Sequence, residues 1–253
     1  MGLMVSLAVA TNLSLKKNKE GYIYWHGTPE QKVVALTFDD GPNEPYTSEI
    51  LDILHRYDVK ATFFMVGKNV AAYPDTARKI VAEGHAIGNH SWDHPNLIFK
   101  TNGQTRQEIM KTEYVIKQIT GVAPELFRPP YGGEDIFTLA QIHKLGFVTV
   151  KWSMSFEDWK MPGVNKILER TSLVKNGSII LLHDGNRQIQ GADRSQTVAA
   201  LPEIILRLKK EGYTFVTVPQ LLKIDGAAAD CAFPANNTRV AMTHSQHPLG
   251  PAY

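Results

Sequence analysis

The segment "KVVALTFDDGPNEPYTSEILDILHRYD", residues 32–58, decides the fold class because it holds one complete strand-to-helix unit. "KVVALTF" is a short apolar run rich in β-branched and aromatic residues, the pattern of a buried strand. "SEILDILHRYD" then spaces Ile50, Leu51, Ile53 and Leu54 as one face of an amphipathic helix. Between the two stand adjacent acids, Asp39 and Asp40, stopped by Gly41-Pro42. Neighbouring carboxylates repel, and here the chain has only just left its apolar run.

The same alternation continues to Ile224. Apolar runs "ATFFMV", "HAIGNH", "ELFR", "FVTVKW", "SIILL" and "YTFVTV" alternate with helical patterns. Of these, "NVAAYPDTARKIVAEG" reads as one helix despite its internal Pro74, and "GQTRQEIMKTEYVIKQITG" as a long amphipathic one. Most of the helical segments end in Gly, the usual stop. Repeated strand–helix units predict an α/β fold with a parallel sheet and helices outside it. At this unit count the sheet either closes into a barrel or stays open and doubly wound. The absence of a Gly-rich phosphate loop after the first strand lowers the second option.

With no composition break between residues 32 and 224, one domain is expected there. Residues 1–31 form an N-terminal segment whose "MGLMVSLAVA" is similar to the end of an export signal, and whose "GYIYWHG" is expected to cover a barrel end. Residues 225–253 are rich in small, polar and Pro residues and read as a poorly ordered tail, with His244 and His247 incidental to it. The apolar share is 43% and the charged share 21%, which fits a chain that buries a sizeable core. With 27 basic against 25 acidic residues and no basic run, no nucleic-acid partner is expected. The single cysteine, Cys231, excludes an intramolecular disulfide, and no apolar run reaches the length of a membrane span.

In a parallel α/β layout, functional groups gather beyond the C-terminal ends of strands. Here the exits carry Asp39 and Asp40, then His90 and His94, then Arg128 and Tyr131, then Asp158 and Trp159, and last His183 and Asp184. His90 and His94, read as i and i+4 on a helical turn, are spaced to chelate one cation, with a carboxylate at hand on the first strand. On an extended strand end, Asp39 and Asp40 would point to opposite sides, so one can bind the cation while the other faces the space above it. Bound metal would make the close carboxylates tolerable and bring its water's pKa toward neutrality. Asp184 reads as a turn or cap residue before Gly185.

Taken together, "TFDDGP" (37–42), "HSWDH" (90–94), "RPPYG" (128–132), "EDW" (157–159) and "LLHD" (181–184) resemble the polysaccharide deacetylase family of metal-dependent carbohydrate esterases. The resemblance spans roughly residues 32–224. It implies a distorted (β/α) barrel of about seven parallel strands, and removal of acetyl groups from chitin-type or peptidoglycan N-acetylglucosamine, or from acetylated xylan. It implies Asp40, His90 and His94 as ligands of one divalent ion, zinc first, with cobalt or nickel as alternatives. Asp39 is then the general base, Arg128 its orienting partner, and the Tyr131 N–H an oxyanion donor. His183 is the general acid with Asp158 as its carboxylate, and Trp159, Leu181 and Pro130 wall the acetyl pocket. The family's fourth motif often has a further Asp where this chain has Ser155, which leaves Asp158 as the expected partner of His183. Tyr131 stands where some muramic-acid-specific relatives carry Arg, which favours N-acetylglucosamine. A secreted or envelope-associated monomer is expected, and a catalytically silent glycan-binding relative is the alternative of another class.

Overall fold

The structure, a computed structural model, describes residues 15–18, 21–133 and 135–223. The export-signal and tail readings, together with Cys231, His244 and His247, fall outside the described residues. In chain order the strands are β1 (Leu15–Asn18), β2 (Gly21–Tyr24), β3 (Val33–Asp39), β4 (Thr62–Met65), β5 (Ala86–Asn89), β6 (Leu126–Phe127), β7 (Val148–Val150), β8 (Met154–Ser155), β9 (Ile179–His183) and β10 (Thr214–Phe215). The helices are α1 (Tyr46–Arg56), α2 (Gly67–Ala72), α3 (Pro74–Ala82), α4 (Asn102–Thr120), α5 (Ile136–Lys144), α6 (Val164–Glu169), α7 (Ser195–Lys210) and α8 (Val218–Lys223).

These strands make one sheet in the order β1-β2-β7-β6-β5-β4-β3-β9-β8, with β10 also on β3. Among the described strands the β1–β2 pair is antiparallel and every other strand pairing is parallel. The expected strands are all present, as β3, β4, β5, β6, β7, β9 and β10. β8 is an addition that two residues are too short to announce by periodicity. An isolated bridge pairs His26, beyond β2, with Ser178, just before β9, next to the Gly27 N–H donating to the Gly177 carbonyl at 2.8 Å. The result is a distorted α/β barrel of a single domain.

Strand alternation sorts β3 between two environments. Val34, Leu36 and Phe38 join the outer core with Ile50 and Leu54 of α1 and Leu201, Ile204 and Leu208 of α7. Ala35 belongs instead to the inner cluster with Phe64, Ile179 and Leu221. Thr37 and Asp39 share the parity of Ala35, so β3 delivers its polar residues to the barrel interior. β9 repeats the division: Ile180 and Leu182 pack outward, while Leu181 and His183 have the parity of the inward Ile179. The register aligns Asp39 with His183.

The single helix expected over 69–84 is two. Tyr73 ends α2, and Pro74 opens α3 at its first turn, where a missing N–H is harmless. α4 starts with a capping box of Thr101 and Gln104 and ends at Gly121, whose φ of 76° supplies the left-handed turn. Among the described residues no helix is long and apolar enough to cross a membrane.

Candidate active site

Asp39 closes β3, and the chain departs from extended geometry one residue later. Asp40 has φ 78°, so the two carboxylates do not diverge as strand alternation would require. They converge: Asp39 Oδ2 lies 3.7 Å and Asp40 Oδ1 3.5 Å from His90 Nε2. Both acids are buried, at 3% and 5% exposure, which is costly for two carboxylates unless positive charge joins them.

His90 and His94 meet without a helical turn. Residues 90–94 form a loop with Ser91 at φ 67° and His94 at φ 58°, pinned by the Ser91 N–H donating to Asn89 Oδ1 and the His94 N–H donating to Ser91 Oγ. Glu108 of α4 accepts the Trp92 and Asp93 N–H groups from the other side. The imidazoles stand edge to face at 4.9 Å. His90 Nδ1 donates to the Arg128 carbonyl at 2.6 Å, and since a carbonyl only accepts, Nε2 is left with its lone pair toward the acids. Burial, reinforced by His94, pulls the His90 pKa down to about 3, and burial also lowers that of His94. Both rings are therefore neutral at neutral pH, the form a metal ligand needs.

One ligand atom from each of Asp40, His90 and His94 can be chosen so that all lie within 4.8 Å of one another. Asp40 Oδ1 and His94 Nδ1 are buried with no hydrogen-bond partner among the described residues, and Oδ1 sits 3.1 Å from His94 Nε2. Buried polar atoms seldom go unsatisfied, and two neutral imidazoles with one carboxylate suit a divalent cation. The donor set fits the metal.

Arg128, fully buried, enters the barrel from the end of β6 and meets Asp39 Oδ1 at 2.6 Å. Its other donors go to Thr37 Oγ1 and to the Val150 and Lys151 carbonyls, and its plane lies over Phe64 at 4.0 Å. Burial raises the Asp39 carboxyl above its ordinary value, with Arg128 and, more weakly, His183 pulling it back. Across the site, His183 Nδ1 donates to Asp158 Oδ1 at 2.8 Å, while the His183 N–H and Thr197 Oγ1 donate to Oδ2, each at 2.8 Å. Burial opposes the imidazolium, but Asp158, followed by Asp40 and Asp39, outweighs it and raises the His183 pKa to about 9. Ser155 does not reach His183; its hydroxyl accepts the Glu157 N–H instead.

Tyr131 occupies the left-handed region at φ 60°, and its half-exposed ring stands edge to face with His94 at 4.6 Å. Leu181 and Pro130 are buried, whereas Trp159, on the turn that begins with Asp158, exposes 53% of its surface. Asp184 is no surface cap. It is 1% exposed, accepts from Thr47 Oγ1 at 2.7 Å, and lies so close to Gly41 that an added Cβ would fall 1.9 Å from its Oδ2. Two further residues escaped sequence reading. Asn43 Nδ2 donates to the Asp184 carbonyl at 3.0 Å, and Asn69 Nδ2 to the Asp40 carbonyl at 2.7 Å. A lone Asn in a turn or a short helix carries no pattern that marks it as a strut.

The family model described as polysaccharide deacetylase matches residues 26–150. A peptidoglycan-N-acetylglucosamine deacetylase of Bacillus cereus is 40% identical over 216 residues, covering 83% of this chain and 98% of that protein. The chain belongs to the polysaccharide deacetylase family. The peptidoglycan-N-acetylmuramic acid deacetylase PdaC of Bacillus subtilis is 40% identical over 197 residues, which are 78% of this chain and 40% of that longer protein. Among solved structures, the Bc1960 peptidoglycan N-acetylglucosamine deacetylase, in complex with an N-oxidanyl-benzamide, superimposes with a TM-score of 0.74 at 37% identity, covering 79% of this chain and 92% of that one. Membership accounts for the order of the motifs around the rim and makes this polysaccharide deacetylase a hydrolase, and its Asp40, His90 and His94 trio is compatible with a divalent metal.

Proposed function

We propose that this polysaccharide deacetylase hydrolyses the N-acetyl groups of N-acetylglucosamine units in a wall-type or chitin-type glycan, releasing acetate, with zinc as its metal. The observation that carries the reading is the placement of one metal-competent trio between two oppositely equipped acid–base pairs. Asp40, His90 and His94 lie within reach of Asp39, which Arg128 holds at 2.6 Å, while His183 stands on the aligned strand position held by Asp158. When bound there, a divalent ion supplies Lewis-acid polarisation of the amide carbonyl and of the attacking water.

The chain's own residues supply the rest. Asp39 accepts the water's proton as general base; burial raises its carboxyl pKa, and Arg128 pulls it back. Arg128 fixes the orientation of Asp39, so the accepting oxygen does not turn away. The Tyr131 N–H donates to the carbonyl oxygen as negative charge develops on it. His183, still protonated at neutral pH, delivers a proton to the departing nitrogen, without which an amine is a poor leaving group. Leu181, Pro130 and Trp159 bound the acetyl methyl. Residues 32–224 are the catalytic unit, acting as a monomer. We place the reaction outside the membrane, where wall glycans are.

Acetate release from a tetramer of N-acetylglucosamine and from peptidoglycan, after zinc is restored to the chelated protein, tests the reading. Acetate from either substrate is expected; none from both overturns it.

A further inference from the structure

One cation at the rim has no part in the chemistry above. Arg187 lies in the turn after β9, its backbone at φ 54°, a region that a non-glycine residue keeps only when its surroundings hold it there. Asn69 provides that hold. Its side-chain amide, fully buried, donates at 2.7 Å to the Arg187 carbonyl and at 2.7 Å to the Asp40 carbonyl. A bridge between Asn186 and Ile189 closes the turn. The Arg187 backbone is thereby clamped to the strand exit that carries the metal-ligand acid.

The side chain is exposed, and its guanidinium lies 5.3 Å from the centre of the Tyr131 ring, which in turn touches His94. One aromatic ring thus separates the cation from the metal trio. Some other surface cations are held by acids, as Lys68 is by Asp93, Arg170 by Glu157 and Arg207 by Glu203. Among the described residues Arg187 forms no ion pair with a carboxylate, so its charge is available to a ligand. A guanidinium resting on an aromatic face offers a planar fork that matches a carboxylate.

We propose that Arg187 binds a carboxylate carried by the sugar beside the one being deacetylated, so that the enzyme selects a glycan with acidic substituents over a neutral glycan. The inference rests on the N-deacetylase reading and names the substrate class within it. A lactyl ether whose carboxyl is free of peptide presents such a carboxylate on the neighbouring amino sugar, and an unsubstituted chitin-type chain presents none.

The test compares kcat/KM on one alternating N-acetylglucosamine–N-acetylmuramic acid tetramer in two forms, with its lactyl carboxylates free or capped as primary amides. Wild type is expected to prefer the free acid about tenfold, the scale of one charge-assisted hydrogen bond. The preference should reside in KM and shrink as salt is raised. Arg187→Ala should bring the ratio to about one, and Arg187→Lys should keep part of it. A wild-type ratio of one, or an unchanged ratio in Arg187→Ala, overturns the proposal. So does an Arg187→Ala loss of kcat equal on both forms, which would make the side chain only a support for Tyr131. Wild type inactive on both forms and on a tetramer of N-acetylglucosamine overturns the deacetylase reading instead.

Discussion

Arg128 Nη1 and Asp39 Oδ1 meet at 2.6 Å inside the barrel, with both side chains buried. The guanidinium spends its other donors on Thr37 and two backbone carbonyls, so Asp39 is held by a group that is itself immobilised on three sides. Removing either partner leaves the other charge buried and unpaired, at a cost of about 3–5 kcal/mol. Arg128→Lys keeps the charge but loses the fork, and is expected to lower both the midpoint of thermal unfolding and kcat. An Arg128→Lys protein with unchanged kcat would remove the orienting role.

The two acids should separate by assay. Asp40→Asn is expected to lose metal and activity together. Asp39→Asn should retain metal while turnover falls by about 10²–10⁴, the usual contribution of a general base. Metal content of each purified variant checks this, and loss of metal only from Asp39→Asn would reverse the two roles.

Activity should require the cation. Exhaustive chelation is expected to abolish acetate release, with zinc restoring it, and to lower the unfolding midpoint because metal binds the folded site alone. Activity that survives verified metal removal would exclude the metal role of Asp40, His90 and His94.

His183 is raised from 6.5 to about 9, so its protonated form persists through neutrality and is lost as pH climbs through about 9. If it is the acid, kcat/KM falls along that alkaline limb. Asp158 is the main group that raises it, so Asp158→Asn should move the limb to lower pH as well as lowering the rate. A limb that stays in place in Asp158→Asn belongs to another group.

Gly41→Ala tests the buried support beneath the acids. The new Cβ would lie 1.9 Å from Asp184 Oδ2 and 2.5 Å from its Oδ1, so Asp184 or the turn must move. Overpacking of this kind costs about 1–3 kcal/mol, and metal affinity should weaken with it because Asp40 immediately precedes the strained position. Calorimetry and metal titration of the variant read the two effects separately.

The parallel α/β alternation is legible in the chain alone, since each buried strand and amphipathic helix is a local periodicity. Also legible there is which residues crowd the strand exits, because motif order along the chain becomes position around the rim. The sequence could not show that Asp39 and Asp40 face the same way, because that turns on one left-handed φ at Asp40. Nor could it show that His90 and His94 meet through a pinned loop, since i, i+4 spacing reads equally as a helical turn. Pro74 marked a helix boundary that the apolar pattern alone ran through. The struts emerge only on folding: Asn69, Thr47 and Asp184 act across 29, 137 and 141 residues of chain, through hydrogen bonds with Asp40, Asp184 and Asn43. Contacts between residues so far apart leave no local period, and packing alone brings them together.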